Sequence, residues 1–175
     1  MKSKWKPIIL DMDATLIGEE VHKKDPNNRE FVIRPFLEEF LYFCFENFQT
    51  VSIWTNGTES WFQHVYQTAL KNYLPEGKSF YLTKTYNDCR KEWATSQYSS
   101  YLQIVKLVEP IMPADFNGNN ILVVDDSKET VYQGIPETNI FRIRPFAMNM
   151  EGYGEDDTEL MGIVLDLQKK LLETE

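Results

Sequence analysis

Pro7-Ile8-Ile9-Leu10-Asp11-Met12-Asp13-Ala14-Thr15-Leu16 is an apolar run that stops at two carboxylates separated by one residue. A short Ile/Leu run ending abruptly in charge reads as a buried strand whose C-terminal end opens into a site. In open α/β sheets, ligands bind beyond the carboxyl ends of the strands. If the chain stays extended through Asp13, the side chains of Asp11 and Asp13 project to the same side. Carboxylates that close repel each other unless a cation or a shared proton compensates. A hard divalent ion such as Mg²⁺ suits such a pair, and it commonly brings a phosphate with it. The alternative is a strand end followed by an Asp-rich turn, and the rest of the chain decides between the two.

Residues 120–127 repeat the pattern: Asn120-Ile121-Leu122-Val123-Val124-Asp125-Asp126-Ser127 is an apolar strand ending in acid, with a helix expected to start at Ser127. Residues 50–55, Thr-Val-Ser-Ile-Trp-Thr, form another β-branched core strand that runs into Asn56-Gly57-Thr58. Thr58 suits the N-cap of a helix whose inner face is Phe62, Val65, Tyr66, Ala69 and Tyr73. Such a strand–turn–helix junction can hold an anion with backbone N–H groups, or it can be an ordinary βα turn. If the three strands are neighbours in a parallel sheet, all three ends share one crevice.

The 175 residues fit one domain spanning 1–175, and 42% hydrophobic content with 14% aromatic content is that of a globular chain. A net charge of −9 repels a phosphate backbone, and beyond Lys2, Lys4 and Lys6 no basic cluster offsets it, so nucleic acid is excluded as a partner. No apolar stretch approaches the ~20 residues that span a bilayer, and no leader with a cleavage site is present. The expectation is a soluble intracellular protein, cytoplasmic or nuclear, and monomeric. Cys44 and Cys89 are too far apart for a metal or disulfide spacing and read as free thiols. Cys44 falls on an apolar helical face. Cys89 precedes Arg90 and Lys91, which would depress its pKa, yet neither cysteine begins a C-x5-R phosphate loop.

Elsewhere, residues 18–30 read as a surface loop, and residues 31–33 as a short strand. Pro35 suits the first turn of a helix presenting Leu37, Phe40, Leu41, Cys44 and Phe48 on one face, with Glu38 and Glu39 at its positive end. Residues 79–83 and 139–143 read as strands, and 84–100 has no clear assignment. His64 is a surface or packing residue rather than a base. Lys106 sits inside the apolar run 101–108; by the residues alone it snorkels to the surface rather than meeting a buried anion. Residues 152–155 form a loop, and Asp156-Asp157-Thr158-Glu159 resembles a capping box, with Asp as cap, ahead of a helix facing inward through Leu160, Ile163, Val164, Leu167 and Leu171.

Asp11-Met12-Asp13-Ala14-Thr15-Leu16, Thr55 at a strand end, Lys106 and Asp125-Asp126, in that order, make the chain resemble a haloacid dehalogenase superfamily phosphatase. Arg34-Pro35-Phe36-Leu37-Glu38-Glu39-Phe40-Leu41, Val51-Ser52-Ile53-Trp54-Thr55-Asn56 and the terminal Asp157-Thr158-Glu159-Leu160 are similar to the FCP/SCP, or NLI-interacting factor-like, group. That group acts on phosphoserine in the C-terminal tail of RNA polymerase II. The resemblance implies a Rossmann-like α/β domain with a central parallel sheet flanked by helices and no large cap. It implies a Mg²⁺-dependent phosphomonoesterase acting on a phosphorylated protein or peptide, with a phosphorylated metabolite or a non-catalytic scaffold role as the alternatives.

Carried over by position, Asp11 would be the nucleophile and Asp13 the general acid/base. Thr55 and the N–H of Asn56 would hold phosphoryl oxygens, and Lys106 would neutralise charge. Asp11, Asp125 and the backbone carbonyl of Asp13 would bind Mg²⁺, with Asp126 and Thr15 standing behind them. Lys84 and Lys91 are the alternatives for the lysine. The segment before Arg34 is shorter than in the polymerase-tail phosphatases, where it helps form an apolar pocket for a substrate proline.

Overall fold

The computed structural model describes residues 7–21, 29–107, 118–146 and 156–173; residues 22–28 of the loop expected at 18–30, and the loop expected at 152–155, lie outside them. Its centre is a five-stranded sheet whose neighbours are all parallel, in the order residues 140–142, 122–125, 7–10, 50–54 and 83–84. The strands are β1 (Pro7–Leu10), β4 (Thr50–Trp54), β5 (Thr83–Lys84), β8 (Leu122–Asp125) and β10 (Ile140–Arg142). Leu10 lies beside Ile53 on one side and Val124 on the other. The residues following β1 and β4 and the last residue of β8 therefore emerge at one edge, as the repeated strand-then-acid pattern requires.

Strand alternation sorts the core. Ile8, Leu10, Val51, Ile53, Leu122 and Val124 face one side of the sheet. There they meet α1 (Leu37–Asn47), α2 (Glu59–Thr68) and α3 (Glu159–Leu172) through Phe40, Leu41, Phe62, Val65, Leu160 and Leu167. Ile9, Trp54, Ile121 and Val123 face the other side, packed with Tyr132 and Ile135 rather than with a described helix. Both faces of β1 are thus dry, which is why it reads as a continuous apolar run with no alternation.

Several sequence expectations are corrected. Residues 18–30 are not simply a loop: β2 (Ile17–Val21) pairs antiparallel with β3 (Arg29–Ile33). Pro35 lies ahead of α1 rather than inside it, and Phe36 caps the helix with a left-handed backbone at φ 64. Of the strand expected at 79–83 only Thr83 is in one, together with Lys84 in the two-residue β5. The unassigned stretch holds β6 (Cys89–Thr95), which forms a hairpin with β7 (Ser100–Leu107). No helix starts at Ser127. Its N–H is held by Asp125 at 2.8 Å, and the chain turns into β9 (Thr130–Gln133), which runs parallel to β7.

The last helix is not entered through a capping box. Thr158 is its N-cap residue and makes no side-chain capping bond. Asp157 is buried against Arg34 through two contacts of 3.0 and 3.1 Å, and gives the helix only an acceptor for the Glu159 N–H. Arg34, itself fully buried, also donates to the carbonyls of Ala14, Thr15 and Arg144. This one guanidinium ties the turn after β1 to the start of α3. No described helix is long and apolar enough to cross a membrane.

Candidate active site

The edge where β1, β4 and β8 end opens into a cavity of about 380 Å³. Asp11, Asp13, Asn56, Gly57, Lys106 and Asp125 line it, together with Asp126, Ser127, Glu129, Thr130, Leu102 and Ile104. Of the sequence-predicted residues, Asp11, Asp13, Asn56, Lys106, Asp125 and Asp126 thus line one cavity, although Asp11 and Asp125 are 114 positions apart (125 − 11), while the buried Thr55 and Thr15 stand behind it, hydrogen-bonded to Asp13 and Asp11.

Lys106 is the hub. It is 1% exposed, which corrects the surface-directed reading, since a lysine in an apolar run can equally be a buried counter-ion. Its Nζ donates to Asp11 Oδ1 and Asp125 Oδ2, both at 3.2 Å, and to the Trp54 carbonyl and the Tyr132 hydroxyl at 2.7 and 2.9 Å. Burial alone would lower its pKa, but Asp11 and Asp125 outweigh that cost and hold the ammonium above its ordinary value. The alternatives lie elsewhere: Lys84 is in β5, and the exposed Lys91 stacks on the Tyr86 ring and reaches its hydroxyl.

Asp11 and Asp13 both line the cavity but take different partners, and the chain turns away after them at Ala14, whose φ is 60. Asp11 Oδ2 accepts from Thr15, whose hydroxyl also lies 3.1 Å from Asp126 Oδ1. Burial pushes the Asp11 carboxyl well above its usual range. Lys106 pulls it back, and Asp125, Asp126 and Asp13 add to the rise. Asp13 instead accepts from Thr55 Oγ1 at 2.7 Å and from Trp61 Nε1 at 2.6 Å. Thr55 Oγ1 also takes the Gly57 N–H at 2.9 Å. A Cβ on Gly57 would lie 2.9 Å from Trp61 Cδ1 and 3.1 Å from Asp13 Oδ2, so a glycine is needed for that carboxylate to nest here.

One ligand atom from each of Asp11, Asp125 and Asp126 falls within 4.8 Å of the others. Three carboxylates facing a single ammonium are electrostatically under-compensated, and a hard divalent cation fits an all-oxygen set of this kind. Asp126, whose carboxyl is raised by burial and then by Asp125, stands in this triad, whereas the side chain of Asp13 is turned to Thr55 and Trp61.

Sequence reasoning missed two contributors. Tyr132 donates to Asp125 at 2.6 Å, and burial holds its hydroxyl protonated by raising its pKa well above the usual value. It was missed because a helix was expected after Ser127, and nothing in a lone tyrosine signals a strand turning back beneath the site. Trp61 was findable: it is the third residue of α2, and its N–H is capped by Thr58, so the first helical turn had to face the end of β4. Cys89 corrects the expectation of a lowered thiol pKa. Its Sγ faces the carbonyls of Thr55 and Thr85, and burial raises it despite Lys106. Cys44 and His64 lie where expected, the first buried in the core and the second exposed and stacked on Trp61.

Residues 6–175 match a family model described as NLI interacting factor-like phosphatase. Among solved structures, the chain is similar to the fission yeast RNA polymerase II CTD phosphatase Fcp1-R271A bound to beryllium fluoride, with a TM-score of 0.53, 16% identity, and 97% of this chain and 51% of that chain covered. A second, the structure of Fcp1 described as an essential RNA polymerase II CTD phosphatase, gives a TM-score of 0.55 and 20% identity over 98% of this chain and 55% of that chain. The chain thus spans about half the length of these solved chains, and at such identities the likeness is one of fold. No curated protein matches the chain in sequence.

Proposed function

The chain belongs to the NLI interacting factor-like phosphatase family, and from that premise we propose that it is a Mg²⁺-dependent phosphomonoesterase acting through an aspartyl-phosphate on phosphoserine or phosphothreonine of a protein. The observation that carries the reading is the placement of one buried ammonium 3.2 Å from both Asp11 and Asp125, in a cavity that also holds Asp13 and the end of β4.

In the proposed reaction, an Asp11 carboxylate oxygen attacks phosphorus, the bond from phosphorus to the substrate oxygen breaks, and Asp13 gives that oxygen a proton. Water then attacks the aspartyl-phosphate phosphorus and passes a proton to Asp13. Inorganic phosphate leaves and the Asp11 carboxylate is restored. Lys106 reduces the repulsion between an anionic nucleophile and an anionic ester, and the Asn56 N–H steadies a phosphoryl oxygen, joined by the Thr55 hydroxyl when protonation of Asp13 frees it. Asp11, Asp125, Asp126 and the Asp13 carbonyl are the groups that would hold Mg²⁺, which supplies further charge neutralisation at the phosphoryl group. Trp61 and Thr55 orient Asp13, and Tyr132 orients Asp125.

A protein substrate is favoured over an enclosed metabolite because no domain-sized insertion roofs the cavity among the described residues; its outer side is bordered by Leu102 and Ile104 of a hairpin. The test is hydrolysis of an aryl phosphate with Mg²⁺. Asp11→Asn is expected to abolish it while leaving the circular dichroism spectrum intact. Full activity in that variant overturns the reading, and a panel of phosphopeptides against phosphometabolites decides the substrate class.

A further inference from the structure

The cavity continues past the carboxylates along the β6–β7 hairpin, and its composition changes on the way. Lys106, Ile104 and Leu102 alternate along β7 and all line the cavity, so they share one face of the strand. Directly opposite them on β6 stand Cys89, Lys91 and Trp93, and cross-strand partners share a face. The pocket-side face of the hairpin therefore runs from Lys106 and Cys89, deep in the site, through Ile104 and Lys91 to Leu102 and Trp93 at the outer end. Leu102 is 44% exposed and Trp93 76% exposed. The opposite face carries Arg90 ion-paired to Glu92, and Tyr101.

We propose that this face is a docking strip for the substrate chain, on which Trp93 and Leu102 receive an apolar side chain a few residues from the phosphorylated one. The inference rests on the phosphomonoesterase reading above and adds the substrate's sequence preference. The occupant is an extended phosphopeptide, for two reasons. The strip is continuous with the cavity that holds Asp11 and Asp125, so a chain anchored there by its phosphoryl group lies along the hairpin. Leu102 is also four residues from Lys106 on an extended strand, roughly 13 Å, which is the reach of about three or four residues of an extended substrate. Tryptophan is the residue type that gains most from such partial burial, presenting a large rigid face at low entropic cost. Lys91, its ammonium held on Tyr86, leaves a polar stretch between the phosphoryl group and the apolar end.

The experiment uses phosphoserine peptides in a Gly/Ser background, each with one Leu placed three or four residues before or after the phosphoserine. On one side of the phosphoserine, Leu is expected to raise kcat/KM by about tenfold through KM, the discrimination that burial of one apolar side chain supplies. Trp93→Ser should erase that gain while aryl phosphate turnover stays within about twofold of the parent, as for an exposed position away from the reacting atoms. Tyr101→Ser, which removes an exposed aromatic from the other face, should retain the gain. The proposal is overturned if no Leu position is preferred, if Trp93→Ser keeps the preference, or if Tyr101→Ser loses it equally. It is also overturned if sedimentation shows Trp93→Ser dissociating a dimer, which would make the strip a self-interface. A parent inactive on aryl phosphate would sink the underlying hydrolase reading as well; activity without any Leu preference sinks this inference alone.

Discussion

Asp11 is the residue at which stability and chemistry oppose each other. Its carboxyl is raised well above the ordinary value of 3.8, chiefly by burial, so the folded state holds that proton more tightly than the unfolded chain does. The stabilisation linked to it is complete below the unfolded value and is lost as pH rises through the folded one. In metal-free protein, ionising Asp11 therefore costs stability. Asp11→Asn should melt at a higher temperature than the parent at pH 7 in chelator, with the difference vanishing below about pH 4. A parent whose melting temperature is flat across that range would contradict the assignment.

Lys106 has the reverse effect. Lys106→Met leaves Asp11 and Asp125 buried without their cation and should cost about 3–5 kcal/mol in urea unfolding, along with activity. A loss under about 1 kcal/mol would mean that water or a bound ion already carries that charge. Asp13, as the acid, should matter in proportion to how poor the leaving group is. Asp13→Asn should slow an alkyl phosphate by about 10²–10⁴-fold but an aryl phosphate far less. Equal losses on both would show that its bonds to Thr55 and Trp61 serve only the fold.

At the scale of elements, the turn after β1 is held from outside. Ala14 has a left-handed backbone, and its carbonyl accepts from Phe146 and Arg34, so the conformation is imposed by partners far along the chain. Arg34→Met should destabilise by about 3–5 kcal/mol, because it leaves Asp157 buried without its cation and takes a donor from the carbonyls of Thr15 and Arg144, while that of Ala14 keeps the Phe146 N–H. A double-mutant cycle with Asp157→Asn should return a coupling above about 1 kcal/mol; additive losses would show that the two residues act separately. This contact also marks the boundary of what the sequence could reveal. Strands that announce themselves by a solid apolar run, such as β1, β4 and β8, were legible because burial on both faces leaves no other composition possible. The β2–β3 and β6–β7 hairpins were not, since Gly18-Glu19-Glu20, Arg29-Glu30 and Arg90-Lys91-Glu92 break any period-two apolar pattern, and it is the pairing of the strands that satisfies their backbones. The same reason hid Tyr132: its strand, β9, gains its identity from pairing with β7, a contact no local pattern encodes.

For the whole molecule, three strand ends converge because parallel neighbours in register must emerge on one edge, and β7 brings Lys106 to that edge from outside the central sheet. The site residues at strand ends were legible through the same rule. The role of Lys106 as a buried counter-ion was legible only through the family resemblance and not from its own apolar run, because its partners, Asp11 and Asp125, lie at the ends of β1 and β8. The central claim, that this convergence makes Asp11 a nucleophile, is tested most directly by acid-quenching the protein during turnover of a ³²P-labelled phosphopeptide with Mg²⁺ and mapping the label. The account predicts hydroxylamine-sensitive label on the peptide containing Asp11, absent in Asp11→Asn. Steady turnover with no protein-bound label, or label on another residue such as Cys89, would contradict it.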